Sequence, residues 1–105
     1  EVGLPPFARM ARIILRDQEP EKLHKLGEDL AAHLNDALAA ERDEVRMKGP
    51  MPCAINRIAG YHRSQILLFS PSAVALQNLL AMVREEKAFA DTERIAVDVD
   101  PISLL

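Results

Sequence analysis

The sequence predicts an α+β domain of two layers, one sheet covered on a single side by two helices. Three observations carry that expectation. The apolar periodicity switches four times between a two-residue and a 3.6-residue repeat. One strand-like segment alternates apolar residues with arginines, so its sheet has a wet face. Both helix-like segments carry one apolar stripe, which needs a sheet to bury it.

Leu4-Pro5-Pro6-Phe7 is an extended lead-in, because proline fixes φ and disfavours helix in the residue before it. Residues 8–16 then read as a strand with Ala11, Ile13 and Leu15 on one side and Arg12, Ile14 and Arg16 on the other. From Pro20 the period changes. Leu23, Leu26, Leu30, Leu34 and Leu38 draw a stripe along a helix of about five turns. Pro20 suits a first turn, Glu19 and Glu21 suit its positive end, and residues 41–44 are a charged exit.

Residues 45–48 alternate briefly before Gly49-Pro50-Met51-Pro52. Two prolines that close together fit only an edge strand or a bulge, since each removes a ladder donor. The strand resumes over 53–58, turns at Ala59-Gly60 and returns over 61–69, giving a hairpin with Arg57, His62 and Arg63 at its tip and stem. Ser70-Pro71-Ser72 is a helix-start signal. Leu76, Leu79, Leu80 and Val83 form the second stripe, running to about Phe89, and residues 94–100 are the closing strand, stopped by Pro101. The order strand, helix, strand, strand, helix, strand is that of a ferredoxin-like β-α-β-β-α-β sandwich with a four-stranded antiparallel sheet. It makes the first and third strands central and the proline-bearing second strand an edge.

The chain has 105 residues, 49% apolar and 28% charged, the make-up of one globular domain with a small core. No run approaches the roughly 20 apolar residues of a membrane span, and the first six residues have neither a basic nor an apolar signal region. A cytosolic protein is expected. Cys53 is the only cysteine, which excludes an internal disulfide and a Cys-x-x-Cys zinc site and predicts a buried apolar thiol. The net charge of −3 means that any nucleic-acid contact must come from a local basic patch.

The open face is expected to carry Arg12 and Arg16, Arg63 and Gln65, and Asp98 and Asp100. The two aspartates are assigned to structure, as cross-strand partners of the arginines worth ~0.2–1 kcal/mol each. A strand end beside arginines offers neither the pocket nor the separated pKa values that acid–base catalysis needs. His24 and His33 lie nine apart on one helix, on opposite sides, and cannot share a metal. Neither phosphate-binding glycine motif is present. The aromatic content of 4% argues for backbone contact through arginine over base stacking.

Three segments together resemble one family. They are Leu4-Pro5-Pro6-Phe7 running into an arginine-ended strand, Gly49-Pro50 followed by Gly60-Tyr61-His62-Arg63-Ser64-Gln65-Ile66-Leu67-Leu68, and Asp98-Val99-Asp100-Pro101-Ile102-Ser103-Leu104-Leu105. They are similar to the C-terminal domain of bacterial primosomal protein N′, the PriA-type replication-restart DNA helicase, in the same order over nearly the whole chain. The resemblance implies that residues 1–105 are the single C-terminal domain of an ATP-dependent 3′–5′ helicase whose motor, zinc-binding and N-terminal DNA-binding domains are absent here. ATP with magnesium, and zinc, would belong to that parent. The fragment itself would hold no cofactor and do no catalysis.

Implied partners are branched DNA, the acidic C-terminal tail of single-stranded-DNA-binding protein and the parent's helicase core. A membrane is not among them, and the location would be cytoplasmic, at the nucleoid. The stretch matching the family's tail site is Tyr61 to Gln65. Where the family commonly has Gly-Arg-Tyr-Arg-Trp-Gln, the first arginine is Tyr61 and the tryptophan is Ser64, while Arg63 and Gln65 remain. The binding residues expected are therefore Arg63, Gln65, Arg57, His62 and Tyr61, extended by Arg12 and Arg16. The rival expectations are a free-standing ferredoxin-like regulatory or RNA-binding module and a small hydrolase, for which only Asn56-Arg57 is suggestive.

Overall fold

A computed structural model describes residues 9–40 and 44–99. The elements are β1 (Arg9–Asp17), α1 (Pro20–Ala40), β2 (Arg46–Ile58), β3 (Tyr61–Ser70), α2 (Ala73–Glu85) and β4 (Ile95–Val99). The strands form one sheet in the order β2-β3-β1-β4, antiparallel throughout. This is the predicted ferredoxin-like arrangement, with β1 and β3 central. The expected extended lead-in at 4–7, the charged exit at 41–43, Asp100 and the terminal 101–105 lie outside the described residues.

Alternation along β1 settles which face is covered. Ala11, Ile13 and Leu15 have no exposed surface, whereas Arg12 and Ile14 are half-buried and Arg16 is exposed. Ile66 and Leu68 of β3 join them from the neighbouring strand. Leu23, Leu30 and Leu34 of α1 and Leu76, Leu79, Leu80 and Val83 of α2 close over this one apolar cluster. Each such side chain contributes about 1.5–3 kcal/mol of burial.

The stripe of α1 is rotated slightly from the leucine line. Gly27 and Ala37 are buried, while Leu26 and Leu38 sit half-buried at the margin. The physical reason is clearance. A Cβ at Gly27 would stand 3.3 Å from the Cβ of Pro50, so a glycine is what lets α1 approach the edge strand.

Pro50 and Pro52 lie on edge strand β2, as their missing donors require. The register with β3 slips twice, between Lys48 and Met51 and between Pro52 and Arg57. Gly49 has φ 102°, and a side chain there would meet the carbonyl of Gln65 at 2.6 Å. The hairpin turns on Ala59 and Gly60, both left-handed at φ 53° and 84°, the twist that a two-residue hairpin loop needs.

Ser72 caps α2, its Oγ accepting from the N–H of Ala75 at 3.1 Å. That helix stops at Glu85, short of the expected Phe89, and Lys87 takes φ 63° just beyond it. Phe89 is buried all the same, so the apolar signal reported burial outside the helix. Among the described residues no helix is long and apolar enough to cross a membrane.

Candidate nucleic-acid interface

Strand alternation sends Arg12 and Arg16 of β1, and Tyr61, Arg63 and Gln65 of β3, to the face away from the helices. The register makes them neighbours: Arg16 stands opposite Arg63, Ile14 opposite Gln65 and Arg12 opposite Leu67. On β2, Lys48 also stands opposite Leu67 and shares this face.

The arginines are held by uncharged partners. Arg12 donates from Nε to Gln65 Oε1 at 2.8 Å. Arg16 lies over the Tyr61 ring, 4.5 Å from its centroid, and donates from Nε to the Glu93 carbonyl at 2.8 Å. Arg63 donates from Nη1 to the Ile55 carbonyl at 2.9 Å. None of these acceptors cancels a charge, and like charges directly opposite each other on adjacent strands cost stability. Asp98, expected to neutralise the arginines, stands opposite Arg12 in the register, yet among the described residues no ion pair joins them. The guanidinium turns sideways to a glutamine instead.

Arg57 and His62 occupy the other side of the hairpin. His62 pairs with Asp17, which continues the buried row of β1, and Arg57 pairs with His62. Both line a groove of about 690 Å³ between the first half of α1 and the hairpin. By strand register the seven expected binding residues thus divide, five on the open face and two beside the helix, and of the five Arg63 also lines the edge of the groove.

One cluster escaped the sequence reading. Asp17 is buried at the corner between β1 and α1. Its Oδ1 accepts from the Glu19 N–H at 2.9 Å and its Oδ2 from Arg94 Nη1 at 2.8 Å. Arg94 also donates from Nε to Asp91 at 2.6 Å. The Glu19 N–H, followed by Arg94, holds the Asp17 carboxyl below the ordinary range, and the Arg94 hydrogen bond does the same to Asp91. Arg94 and Asp17 are 77 residues apart, so only the pairing of β1 with β4 brings them together.

His24 pairs with Glu28 on its own helix at 3.0 Å, and His33 reaches Glu86 beyond α2 at 2.8 Å. Among the described residues no group of three or more His, Cys, Asp or Glu could hold a metal ion. Cys53 is buried, as expected of a lone apolar thiol.

Residues 1–102 match the profile of the family described as the primosomal protein N C-terminal domain. The chain is 30% identical over 105 residues to the replication restart protein PriA of Haemophilus influenzae, and 29% identical over 102 residues to that of Treponema pallidum. These alignments cover 98% and 96% of this chain but only 14% and 15% of the relatives, so the chain spans about one-seventh of the proteins it matches. Among solved structures, the de novo designed protein Foldit4 is similar with a TM-score of 0.55 at 15% identity, covering 87% of this chain and 91% of that one. That likeness is one of fold alone. Matched by the family profile over nearly its whole length, the chain belongs to the primosomal protein N C-terminal domain family, the C-terminal domain of replication restart proteins.

Proposed function

We propose that this domain is a non-catalytic accessory to an ATP-dependent 3′–5′ replication-restart helicase, and that its open sheet face helps hold branched DNA. The observation that carries the reading is the electrostatics of that face. Arg12, Arg16 and Arg63 share one face, Arg16 directly opposite Arg63, and their hydrogen bonds go to a glutamine side chain and two main-chain carbonyls that leave their charge intact. A basic strip on a chain of net charge −3 is a local arrangement, of the kind that positions a phosphate backbone.

The same strip suits the acidic C-terminal tail of single-stranded-DNA-binding protein, with Arg63 and the Gln65 amide offering donors to a carboxylate and the Tyr61 ring an apolar shelf. Motor activity, ATP with magnesium and the zinc site belong, on this reading, to the rest of the parent protein.

Fluorescence anisotropy of a labelled forked DNA, titrated at low and at physiological salt, tests the proposal. Binding should weaken with salt. Replacing Arg12, Arg16 and Arg63 together by alanine should flatten the salt slope by about 0.9 for each phosphate that the variant no longer neutralises. Unchanged affinity and slope in the triple variant would overturn the assignment of DNA to this face. An acidic peptide ending in an aromatic residue should compete with the fork, and its competition should vanish in Arg63→Ala.

A further inference from the structure

The groove on the helix side of the hairpin meets the basic strip only at Arg63, which lines its edge, and contains neither Arg12 nor Arg16. Leu23 and Gly27 of α1 form one wall, Pro50 and Pro52 of β2 the other, and Ser64 of β3 lies between them. Its volume, about 690 Å³, is that of a small-ligand site, and its surface is mostly apolar. At the hairpin end, Asn56, Arg57 and His62 line it. Among the described residues none of these three side chains has a hydrogen-bond or ion-pair partner, whereas Glu28, which also lines the groove, is engaged by His24 at 3.0 Å. The free charge at this end is therefore cationic. The groove is open because Ser64 is small: its place on β3, opposite Pro52, would carry any larger side chain into the space between the strand and α1.

We infer that this groove is a site for single-stranded DNA, with Arg57 and His62 taking a phosphate and one base lying on the proline-lined floor. The inference rests on reading the domain as nucleic-acid-binding, and it assigns a second strand to a second face. The chemistry of the lining selects this occupant. Arg57 supplies a cation for a phosphodiester. Asn56 supplies both a donor and an acceptor, which a base edge uses and a carboxylate does not. The apolar walls of Leu23, Pro50 and Pro52 accept the flat face of a base without an aromatic platform. A duplex cannot enter, because its bases are already paired and stacked. A single strand leaving a fork can. The hairpin would then stand between duplex and single strand, with Arg57 inside the groove and Arg63 at the edge that the groove shares with the open face.

The test is anisotropy of a labelled oligothymidylate against wild type, Arg57→Ala, Ser64→Trp and the Arg12, Arg16 double alanine variant. Circular dichroism and thermal unfolding verify that each variant is folded. Arg57 is exposed, so its variant reports even if Ser64→Trp distorts the sheet. The expected result is that Arg57→Ala and Ser64→Trp each weaken oligothymidylate binding at least tenfold, while the open-face variant changes it less than threefold. Oligothymidylate binding that survives Arg57→Ala overturns the groove assignment. So does binding of forked duplex with no binding of oligothymidylate, an outcome that leaves the accessory-domain reading standing. Failure of both DNAs to bind would overturn both.

Discussion

Replacing Asp17 by alanine removes two hydrogen bonds at once from a buried carboxylate: the one from the Glu19 N–H at 2.9 Å and the one from Arg94 at 2.8 Å. Hydrogen bonds to charged groups are worth about 1.5–3 kcal/mol each, and their loss costs more when the partner is left buried and unpaired. Neither partner is left so here. Arg94 is about one-third exposed and keeps Asp91 at 2.6 Å, and the Glu19 N–H lies at the start of a helix where water can replace the carboxylate. The expected loss is therefore nearer the low end, about 2 kcal/mol for the whole substitution. At roughly 4–8 °C per kcal/mol for a domain of this size, the midpoint should fall by about 10 °C.

Asp17→Asn separates the two parts. Its amide oxygen can still accept from Glu19, so only the charge pair goes and about 1 kcal/mol is lost. Urea unfolding followed by far-ultraviolet circular dichroism reads both numbers, with the slope in urea unchanged. The pH dependence gives a further check. The folded carboxyl titrates below its ordinary value of 3.8, so its stabilisation is fully present above that value and is lost as pH falls through the lowered folded one. Between about pH 5 and neutrality wild type should be flat, and it should lose stability in acid, with a shallower acid slope in Asp17→Asn. Asp91 titrates in the same direction, so some slope should remain. An Asp17→Ala protein within about 0.5 kcal/mol of wild type, the spread of an ordinary surface substitution, would refute the corner as a stabilising pair. So would an Asp17→Asn protein with the wild-type acid slope.

Two further outcomes follow from packing and backbone. Leu79→Ala empties a site with no exposed surface between α2 and the sheet, and should cost about 2–5 kcal/mol by urea unfolding. Gly49→Ala asks an L-residue to hold φ 102° with its Cβ 2.6 Å from the Gln65 carbonyl. It should cost at least ~1–3 kcal/mol, and the loss should show in amide exchange at β2 before it shows in the helices.

Much of the fold was readable because local and global signals agree. Arg12 and Arg16, alternating with Ala11, Ile13 and Leu15, named the covered face of β1, and two prolines named the edge strand. What was not readable has specific causes. The rotation of α1 toward Gly27 depends on Pro50, a neighbour 23 residues away in sequence, and periodicity within one helix contains no information about it. The reach of α2 was overestimated because Phe89 continues the apolar pattern while the chain has already left the helix at Lys87. Arg94, read as the first residue of the closing strand, was passed over because a single arginine at a strand end says nothing until β1 and β4 are paired. Charge complementarity between Arg12 and Asp98 was inferred correctly as proximity and incorrectly as pairing, since opposition in a register fixes Cα atoms and leaves a long guanidinium free to choose Gln65.

The division of the hairpin has the simplest origin of all. His62 and Arg63 are adjacent on a strand, and adjacent residues on a strand face opposite ways. A cluster of basic residues in sequence is thereby directed to two faces, an open sheet and a groove under α1, with Arg63 at the edge where the two meet. The bulges of β2 matter for the same reason. Between Pro52 and Arg57 the edge strand advances five positions while β3 advances two, and that surplus brings Asn56 and Arg57 to the groove while the Ile55 carbonyl meets Arg63. A regular hairpin would have placed the side chains of β2 in plain alternation against β3, with no extra chain to bring to the groove. The prolines, which prevent an ordinary ladder on this edge, are thus also what allows one short hairpin to present chemistry in two directions.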